Sequence, residues 1–122
     1  MSQPTWTGRG GGELEGPGRS SGAVLVVLKG HDVIVWLIGE IDGNVATDLD
    51  DIVKQTPDIA SRLIVDASRV TFCDSTAVRF IATAAAAVAV TIRGPSRVFA
   101  DIITFSGLAQ NPWIHIETGA RQ

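Results

Sequence analysis

Hydrophobic residues recur along this chain at two spacings, and each spacing predicts its own kind of element. Apolar residues three or four positions apart predict three amphipathic helices, which begin after Asn44, at Ser75 and after Ser96. Short apolar runs, most of them rich in β-branched residues, predict strands at residues 23–28, 33–38, 62–66, 88–92 and 113–117. The predicted order is therefore ββαβαβαβ.

Polar residues, glycines and prolines between these segments mark turns and helix ends. Gly30 and Asp32 favour an antiparallel hairpin between the first two strands. Asn44 is the predicted N-cap of the first helix, Pro57 is expected to stop that helix, and Gly107 lies where a C′ glycine belongs. Strands that alternate with helices imply right-handed crossovers and a largely parallel sheet. We therefore expect a small α/β domain, with a mixed, mostly parallel sheet of about five strands and about three helices.

The first 22 residues follow neither spacing and contain seven glycines, two prolines and almost no aliphatic residue. Such a segment buries too little apolar surface to offset the entropy of ordering it, so we expect a disordered tail. Trp6 is its one aromatic residue, either a docking residue for a partner or a stray side chain. The predicted domain spans residues 23–118, and residues 119–122 are expected to form a flexible C-terminus.

Composition narrows the classes of function. The chain has 122 residues, 45% of them hydrophobic, which suits one domain with a real core. A formal net charge of −3 argues against a nucleic-acid partner, and the longest apolar run, residues 84–90, is too short to cross a bilayer. The N-terminus lacks the apolar segment of a signal peptide, and the single cysteine, Cys73, suits a reducing compartment as a buried, inert thiol. We expect a cytoplasmic protein with no membrane or nucleic-acid partner.

The most informative residues are a polar triplet, Asp74, Ser75 and Thr76. They lie where a predicted apolar loop at 67–74 ends and a helix begins. Asp74 or Ser75 can cap the unpaired N–H groups of that helix. A phosphate on Ser75 would lie at the positive end of the helix dipole, with free donors around it. The triplet alone is equally explained by a plain N-cap.

Two further features bear on this triplet. Ser75, Arg79 and Thr83 lie at i, i+4 and i+8 and share one stripe of the helix, flanked by small alanines that would let another protein approach closely. An ordinary amphipathic helix with a narrow exposed face has the same pattern. The loop at residues 39–44, which contains Asp42, leaves a neighbouring strand, and loops at the carboxyl ends of strands gather at one edge of a sheet and form sites.

Motifs also follow one another in a defined order through the folded part. They are Ile-Gly-Glu-Ile-Asp at 38–42, an amphipathic helix, Leu-Ile-Val-Asp at 63–66, Val-Thr-Phe-Cys-Asp-Ser at 70–75, Arg-Gly-Pro-Ser-Arg-Val at 93–98 and Phe-Ser-Gly-Leu at 105–108. This succession resembles the STAS domain of anti-sigma-factor antagonists. The resemblance covers residues 23–117 and rests on the ordered set rather than on any single motif.

The resemblance implies a function and a set of partners. An antagonist of this family binds an anti-sigma factor, which is also a serine kinase of the GHKL ATPase type, and so frees the sigma factor. The kinase phosphorylates the serine after the aspartate and ends the interaction, and a PP2C-type phosphatase resets it. By this resemblance Ser75 is the phosphoacceptor, Asp74 the preceding acid and Asp42 the acid of the neighbouring loop. The residues expected to contact the partner are Asp42, Asn44, Asp74, Thr76, Arg79 and Thr83.

The chain departs from the family pattern in two places. Thr76 and Ala77 follow Ser75 where the family usually has Ser-Gly, and the stretch before Gly94 is several residues shorter and lacks the customary basic tail and Gly-Gly turn. An alternative function is therefore a STAS module that is not phosphorylated. Such a module would bind a small ligand or serve as an accessory subunit of a transporter, for lipids for example, or of a sensory complex.

An enzyme is a third possibility, with Ser75 as nucleophile. The Gly-x-Ser-x-Gly elbow is missing, and the candidate bases His31 and His115 have no evident orienting partner. Cys73 and the two histidines are isolated in sequence, which argues against a metal site. We therefore predict a protein that is not an enzyme and needs no cofactor.

Overall fold

The computed structural model of the chain describes residues 6–7 and 22–118. In chain order the elements are β1 (Trp6–Thr7), β2 (Ala23–Lys29), β3 (Asp32–Ile41), α1 (Ala46–Ile59), β4 (Arg62–Cys73), α2 (Ser75–Ala85), β5 (Ala89–Arg93), α3 (Arg97–Phe105) and β6 (Ile114–Glu117). Short 3₁₀ turns at Gly43–Val45 and Leu108–Gln110 precede α1 and β6. From β2 onward the predicted order ββαβαβαβ and the α/β class are confirmed.

The strands lie side by side in sequence order, from β1 at one edge to β6 at the other. β2 is antiparallel to both of its neighbours, β1 and β3. The strands from β3 to β6 are all parallel to one another. Because right-handed crossovers between successive parallel strands put their helices on the same side, α1, α2 and α3 cover one face of the sheet. The mixed, mostly parallel sheet is as predicted.

The core lies between this face and the helices. Alternate side chains of the strands are buried there, which is the two-residue periodicity of a β-strand. They form one hydrophobic cluster with side chains from all three helices. Its members include Val35, Leu37, Leu63, Val65 and Ile92 from strands, and Leu49, Ile81 and Phe99 from helices.

β1 lies within the segment predicted to be a disordered tail. Trp6 pairs with Val26 and Thr7 pairs with Leu25, so the two residues extend the sheet beyond β2. The prediction differs from the structure here because strand pairing uses backbone groups, which an apolar pattern does not reveal. Residues 1–5, 8–21 and 119–122 lie outside the described residues, and the disordered tail and flexible C-terminus stay predictions for them.

The end of α1 corrects a second prediction. Pro57 does not stop the helix; it lies inside it, and α1 continues to Ile59. Pro57 lacks an N–H and so costs the helix one hydrogen bond, but the next turn closes because the Ala60 N–H donates to the Thr56 carbonyl oxygen over 2.8 Å. The Thr56 hydroxyl donates to the Ile52 carbonyl oxygen, which satisfies this buried side chain.

Residues 67–73, expected to belong to a loop at 67–74, are strand in the structure. β4 instead runs to Cys73 because β3 runs beside it to Ile41, with irregular register around Ile38 and Gly39. Gly39 has a φ of +83°, a backbone conformation that favours glycine, and it lies where the register between β3 and β4 shifts. Since Ile41 pairs with Cys73, the two strands end together at the carboxyl edge of the sheet.

An ion pair joins the opposite, amino ends of the same strands. The Arg62 guanidinium donates from Nε to Asp32 Oδ1 over 3.1 Å and from Nη2 to Asp32 Oδ2 over 2.9 Å. These hydrogen bonds hold the pKa of Asp32 below its usual range. The pKa of Asp32 is therefore lower in the folded than in the unfolded protein. The ion pair stabilises the fold fully at pH values above the unfolded-state pKa. This stabilisation is lost as the pH falls through the folded-state pKa.

We therefore expect Arg62→Gln to raise the pKa of Asp32 towards its ordinary value, as measured by NMR titration of the Asp32 side chain. Arg97→Gln, at an exposed position of α3, is the matched control and should leave that pKa unchanged. An unaltered Asp32 pKa in Arg62→Gln would contradict the assignment. Both side chains are partly exposed, so the effect on overall stability should be small.

Candidate functional site

The candidate site lies where β3 and β4 end side by side. The Asp74 backbone N–H donates to the Ile41 carbonyl oxygen over 3.4 Å, which ties the two chain segments together just past the strands. Asp42 follows Ile41 and Asp74 follows Cys73, so both residues lie at this end of the sheet. Both are half-buried.

The two aspartates begin the two following helical segments in the same way. Asp42 Oδ1 accepts from the Asn44 backbone N–H over 2.9 Å, and Asp74 Oδ1 accepts from the Thr76 backbone N–H over 2.8 Å. The predicted cap at Asn44 is therefore wrong. Asp42 caps the 3₁₀ turn, of which Asn44 is an exposed member, and α1 begins after Val45 without a side-chain cap hydrogen bond. An aspartate and an asparagine are equally good caps, so the sequence alone does not choose between them.

Ser75 is the first residue of α2, and its side chain is exposed. The sequence left open whether Asp74 or Ser75 caps this helix, and the structure assigns the cap to Asp74. Within residues 22–118 the Ser75 hydroxyl has no hydrogen-bond partner. An exposed hydroxyl without a structural task is accessible to another protein.

The exposed side of α2 continues from Ser75. Ser75, Thr76, Val78 and Arg79 line an open depression of about 370 Å³. Arg79 is exposed, and Thr83 is exposed one turn further along the same stripe. The opposite side of the helix packs into the core through Ala77, Phe80, Ile81, Ala84 and Ala85. The structure thus brings five predicted partner-binding residues onto one surface with Ser75, while Asn44 lies beside them on the neighbouring turn.

Phe72 belongs to the same edge, although the sequence analysis did not single it out. It pairs with Glu40 across β3 and β4, and 48% of its surface is exposed. An exposed phenylalanine two residues before Asp74 is a typical interface residue, since aromatic side chains are enriched in protein interfaces. Its exposure becomes visible only when β4 is known to extend past Val70.

Cys73 had been expected to be buried. In the structure it is only half-buried. Burial raises the pKa of its thiol, and the negative charge of Asp74 raises it further. An ordinary cysteine has a pKa of about 8.5, so this thiol is protonated near neutral pH and a poor nucleophile.

The two histidines lie away from Ser75. His31 is in the turn between β2 and β3, at the other end of the strand that leads to Ile41, and this strand of ten residues spans roughly 30 Å. His115 lies in β6, where it pairs with Thr91 of β5, three strands along the sheet from β3. Neither ring is placed to act on the Ser75 hydroxyl, and residues 6–7 and 22–118 contain no cluster of side chains suited to a metal ion.

A second depression, about 260 Å³ in volume, lies at the amino end of the parallel strands, between α1 and the β2–β3 hairpin. Its lining is mainly apolar and includes Val26, Leu28, Val33, Ile52 and Ile59. This groove lies at the amino ends of the strands, whereas Ser75 lies at their carboxyl ends. None of the described helices is long and apolar enough to span a membrane.

Solved structures with known roles resemble this fold. SpoIIAA, an anti-sigma factor antagonist, in its unphosphorylated form shares 21% sequence identity and superposes with a TM-score of 0.63, covering 78% of this chain and 88% of that chain. An anti-sigma factor antagonist from Mycobacterium paratuberculosis shares 20% identity with a TM-score of 0.66, covering 84% and 90% of the two chains. The phosphorylated form of the Bacillus cell fate determinant SpoIIAA shares 20% identity with a TM-score of 0.56, covering 78% and 91%.

At these identities the structural likeness concerns the fold. No curated protein sequence matches this chain significantly. The sequence profile of the family described as "Mlab, STAS domain" matches residues 24–116, which is well over half of the chain and almost all of its folded part. The chain therefore belongs to the STAS domain family.

Proposed function

We propose that this chain is an anti-sigma-factor antagonist, a protein-binding switch that is turned off by phosphorylation of Ser75. The observation that carries the proposal is the exposed Ser75 hydroxyl at the first position of α2, left without a capping role by Asp74. In the unmodified state the chain binds an anti-sigma factor that is also a serine kinase of the GHKL type. A PP2C-type phosphatase restores the hydroxyl. The chain itself is not an enzyme in this scheme, needs no cofactor and works in the cytoplasm.

The contact surface of this proposal is the edge formed by the ends of β3 and β4 and the exposed side of α2. Its small and polar members allow close approach, and Phe72 adds an apolar anchor that is 48% exposed. The residues proposed to contact the kinase are Asp42, Asn44, Phe72, Asp74, Thr76, Arg79 and Thr83.

Electrostatics explains why a single phosphate is enough to end the interaction with the kinase. Phosphorylation adds about −1.5 to −2 charges at pH 7. In a docked complex this charge loses its water and lies near the carboxylates of Asp42 and Asp74. An unpaired buried charge costs several kcal/mol, and each 1.4 kcal/mol is about a tenfold loss of affinity. The helix dipole returns only about 0.3–1 kcal/mol, so the complex dissociates.

The direct test is phosphorylation in vitro with ATP and serine kinases of the anti-sigma class from the source of the chain. Intact-mass spectrometry should show addition of one phosphoryl group, and peptide mapping should locate it at Ser75. Ser75→Ala should abolish the addition, while the matched variant Ser61→Ala, at an exposed serine next to the amino end of β4, should retain it. Addition that persists in Ser75→Ala, or no addition with any such kinase, would refute the proposal.

A second candidate is a STAS module that serves a different assembly without phosphorylation. Two observations favour it: the matching family profile is described by the name Mlab, and an apolar groove lies between α1 and the β2–β3 hairpin. This function predicts a partner or ligand whose binding is the same with and without ATP. Binding that ATP and the kinase abolish would exclude it.

A further inference from the structure

A phosphate on Ser75 would find fewer backbone donors than the sequence suggests. The Thr76 N–H already donates to Asp74 Oδ1 over 2.8 Å, and the Ala77 N–H donates to the Asp74 carbonyl oxygen over 3.0 Å. The expectation of free donors around the phosphate is therefore wrong for these two amides. Both hydrogen bonds are a consequence of the cap that Asp74 forms.

The charges at this edge make the environment of such a phosphate still less favourable. Asp42 and Asp74 directly follow the adjacent strands β3 and β4. Cys73 is neutral at physiological pH because burial and Asp74 raise its pKa. The carboxylates of Asp42 and Asp74 therefore add negative charge at the end of the sheet where Ser75 lies.

α2 itself supplies a cation in the required position. Arg79 lies four residues after Ser75, and residues at this spacing are neighbours on a helix surface, with Cβ atoms about 5–6 Å apart. The two side chains line the same open depression. Arg79 is exposed, and within residues 22–118 it has no ion-pair partner, whereas Arg62 and Arg93 are paired with Asp32 and Asp66.

We infer that Arg79 binds the phosphoryl group of phosphorylated Ser75 within the same molecule. The planar guanidinium presents paired N–H donors that match phosphate oxygens, and such charge-assisted hydrogen bonds are stronger than neutral ones. The inference rests on the proposed function, because it requires that Ser75 carries a phosphate.

This pairing gives phosphorylation a double effect on the docking surface. In the unmodified chain Arg79 offers a positive charge to a partner from the exposed side of α2. In the phosphorylated chain the same guanidinium is occupied by the phosphate and is withdrawn from the partner. The modification thus adds a negative charge and removes a positive one, which makes the switch more complete than repulsion alone.

The test uses the full chain with phosphoserine incorporated at position 75 during synthesis, so no kinase is needed. Titration followed by ³¹P NMR reports the second pKa of the phosphate, which is ordinarily about 6. A nearby cation favours the dianion, so Arg79→Gln should raise this pKa by about 0.2–0.7 units, the range expected of an exposed ion pair. Arg79→Lys should recover part of the shift, since lysine keeps the charge without the planar donor pair.

Arg97→Gln, at an exposed position of α3, is the matched control and should leave the phosphate pKa unchanged. A pKa in Arg79→Gln equal to that of the parent phosphoprotein, or an equal shift in Arg97→Gln, would overturn the inference. Both arginines are exposed, so the variants should fold, which circular dichroism will verify. Because phosphoserine is installed without a kinase, failure of this test leaves the kinase assay intact, and failure of the kinase assay leaves the ³¹P result intact.

Discussion

Ser75→Asp should bind the anti-sigma kinase about 100-fold more weakly than the unmodified chain, whereas Ser75→Ala should bind it at least as tightly. The aspartate places a permanent negative charge at the first residue of α2, close to Asp42 and Asp74. Burying that added charge against a partner, next to two carboxylates, costs about 3 kcal/mol, which corresponds to roughly two orders of magnitude in affinity. Alanine removes the hydroxyl and adds no charge, and its complex should persist when ATP is added.

Isothermal titration calorimetry with the kinase and a non-hydrolysable nucleotide measures both affinities. Ser61→Asp is the matched control, because Ser61 is also exposed and lies at the amino end of β4, the opposite edge of the sheet from Ser75. It carries the same change in charge and should bind normally. Equal affinities for Ser75→Asp and Ser75→Ala would rule out the switch, and an equal loss in Ser61→Asp would show a general charge effect.

Local patterns account for the parts of this fold that the sequence predicted. Buried runs such as Leu63 to Val65 carry their own strand signal, and Ser96 caps α3 by accepting from the Phe99 N–H over 3.3 Å. Gly107 has the positive φ of +84° that a residue just after a helix adopts. Each of these features depends on residues within one turn or one strand of each other.

Features that depend on distant residues were missed. Residues 67–73 have no clean alternation, and their strand conformation comes from pairing with β3, some thirty positions earlier in the chain. β1 pairs with β2 over only two residues, which is too short a run to give a periodic strand signal. Phe72 is exposed for the same reason, since its position in the long strand rather than its apolar side chain decides its environment.

The candidate site was predicted in its residues and mispredicted in part of its chemistry. The exposed stripe from Ser75 to Thr83 follows directly from helical spacing. The choice of Asp74 as cap does not, because aspartate and serine are nearly equal caps and the backbone geometry decides between them. That choice matters for function: it leaves the Ser75 hydroxyl exposed and at the same time uses the amide that a phosphate would otherwise bind.

Phe99→Ala should lower the free energy of unfolding by about 3–5 kcal/mol, the usual cost of deleting a fully buried aromatic side chain. Phe99 is fully buried in α3, whereas Phe105, in the last turn of the same helix, is 85% exposed, so Phe105→Ala is a matched control expected to change stability by about 0.5 kcal/mol or less. Urea denaturation followed by circular dichroism measures both. Equal losses would mean that α3 does not pack its Phe99 face on the sheet.

Phe99→Ala should also lower amide-exchange protection in β4, because α3 packs against β4. A domain of this size is stable by only about 5–15 kcal/mol, so the loss is a large fraction of its stability. The effect reaches the candidate site, since Asp74 and Ser75 directly follow β4.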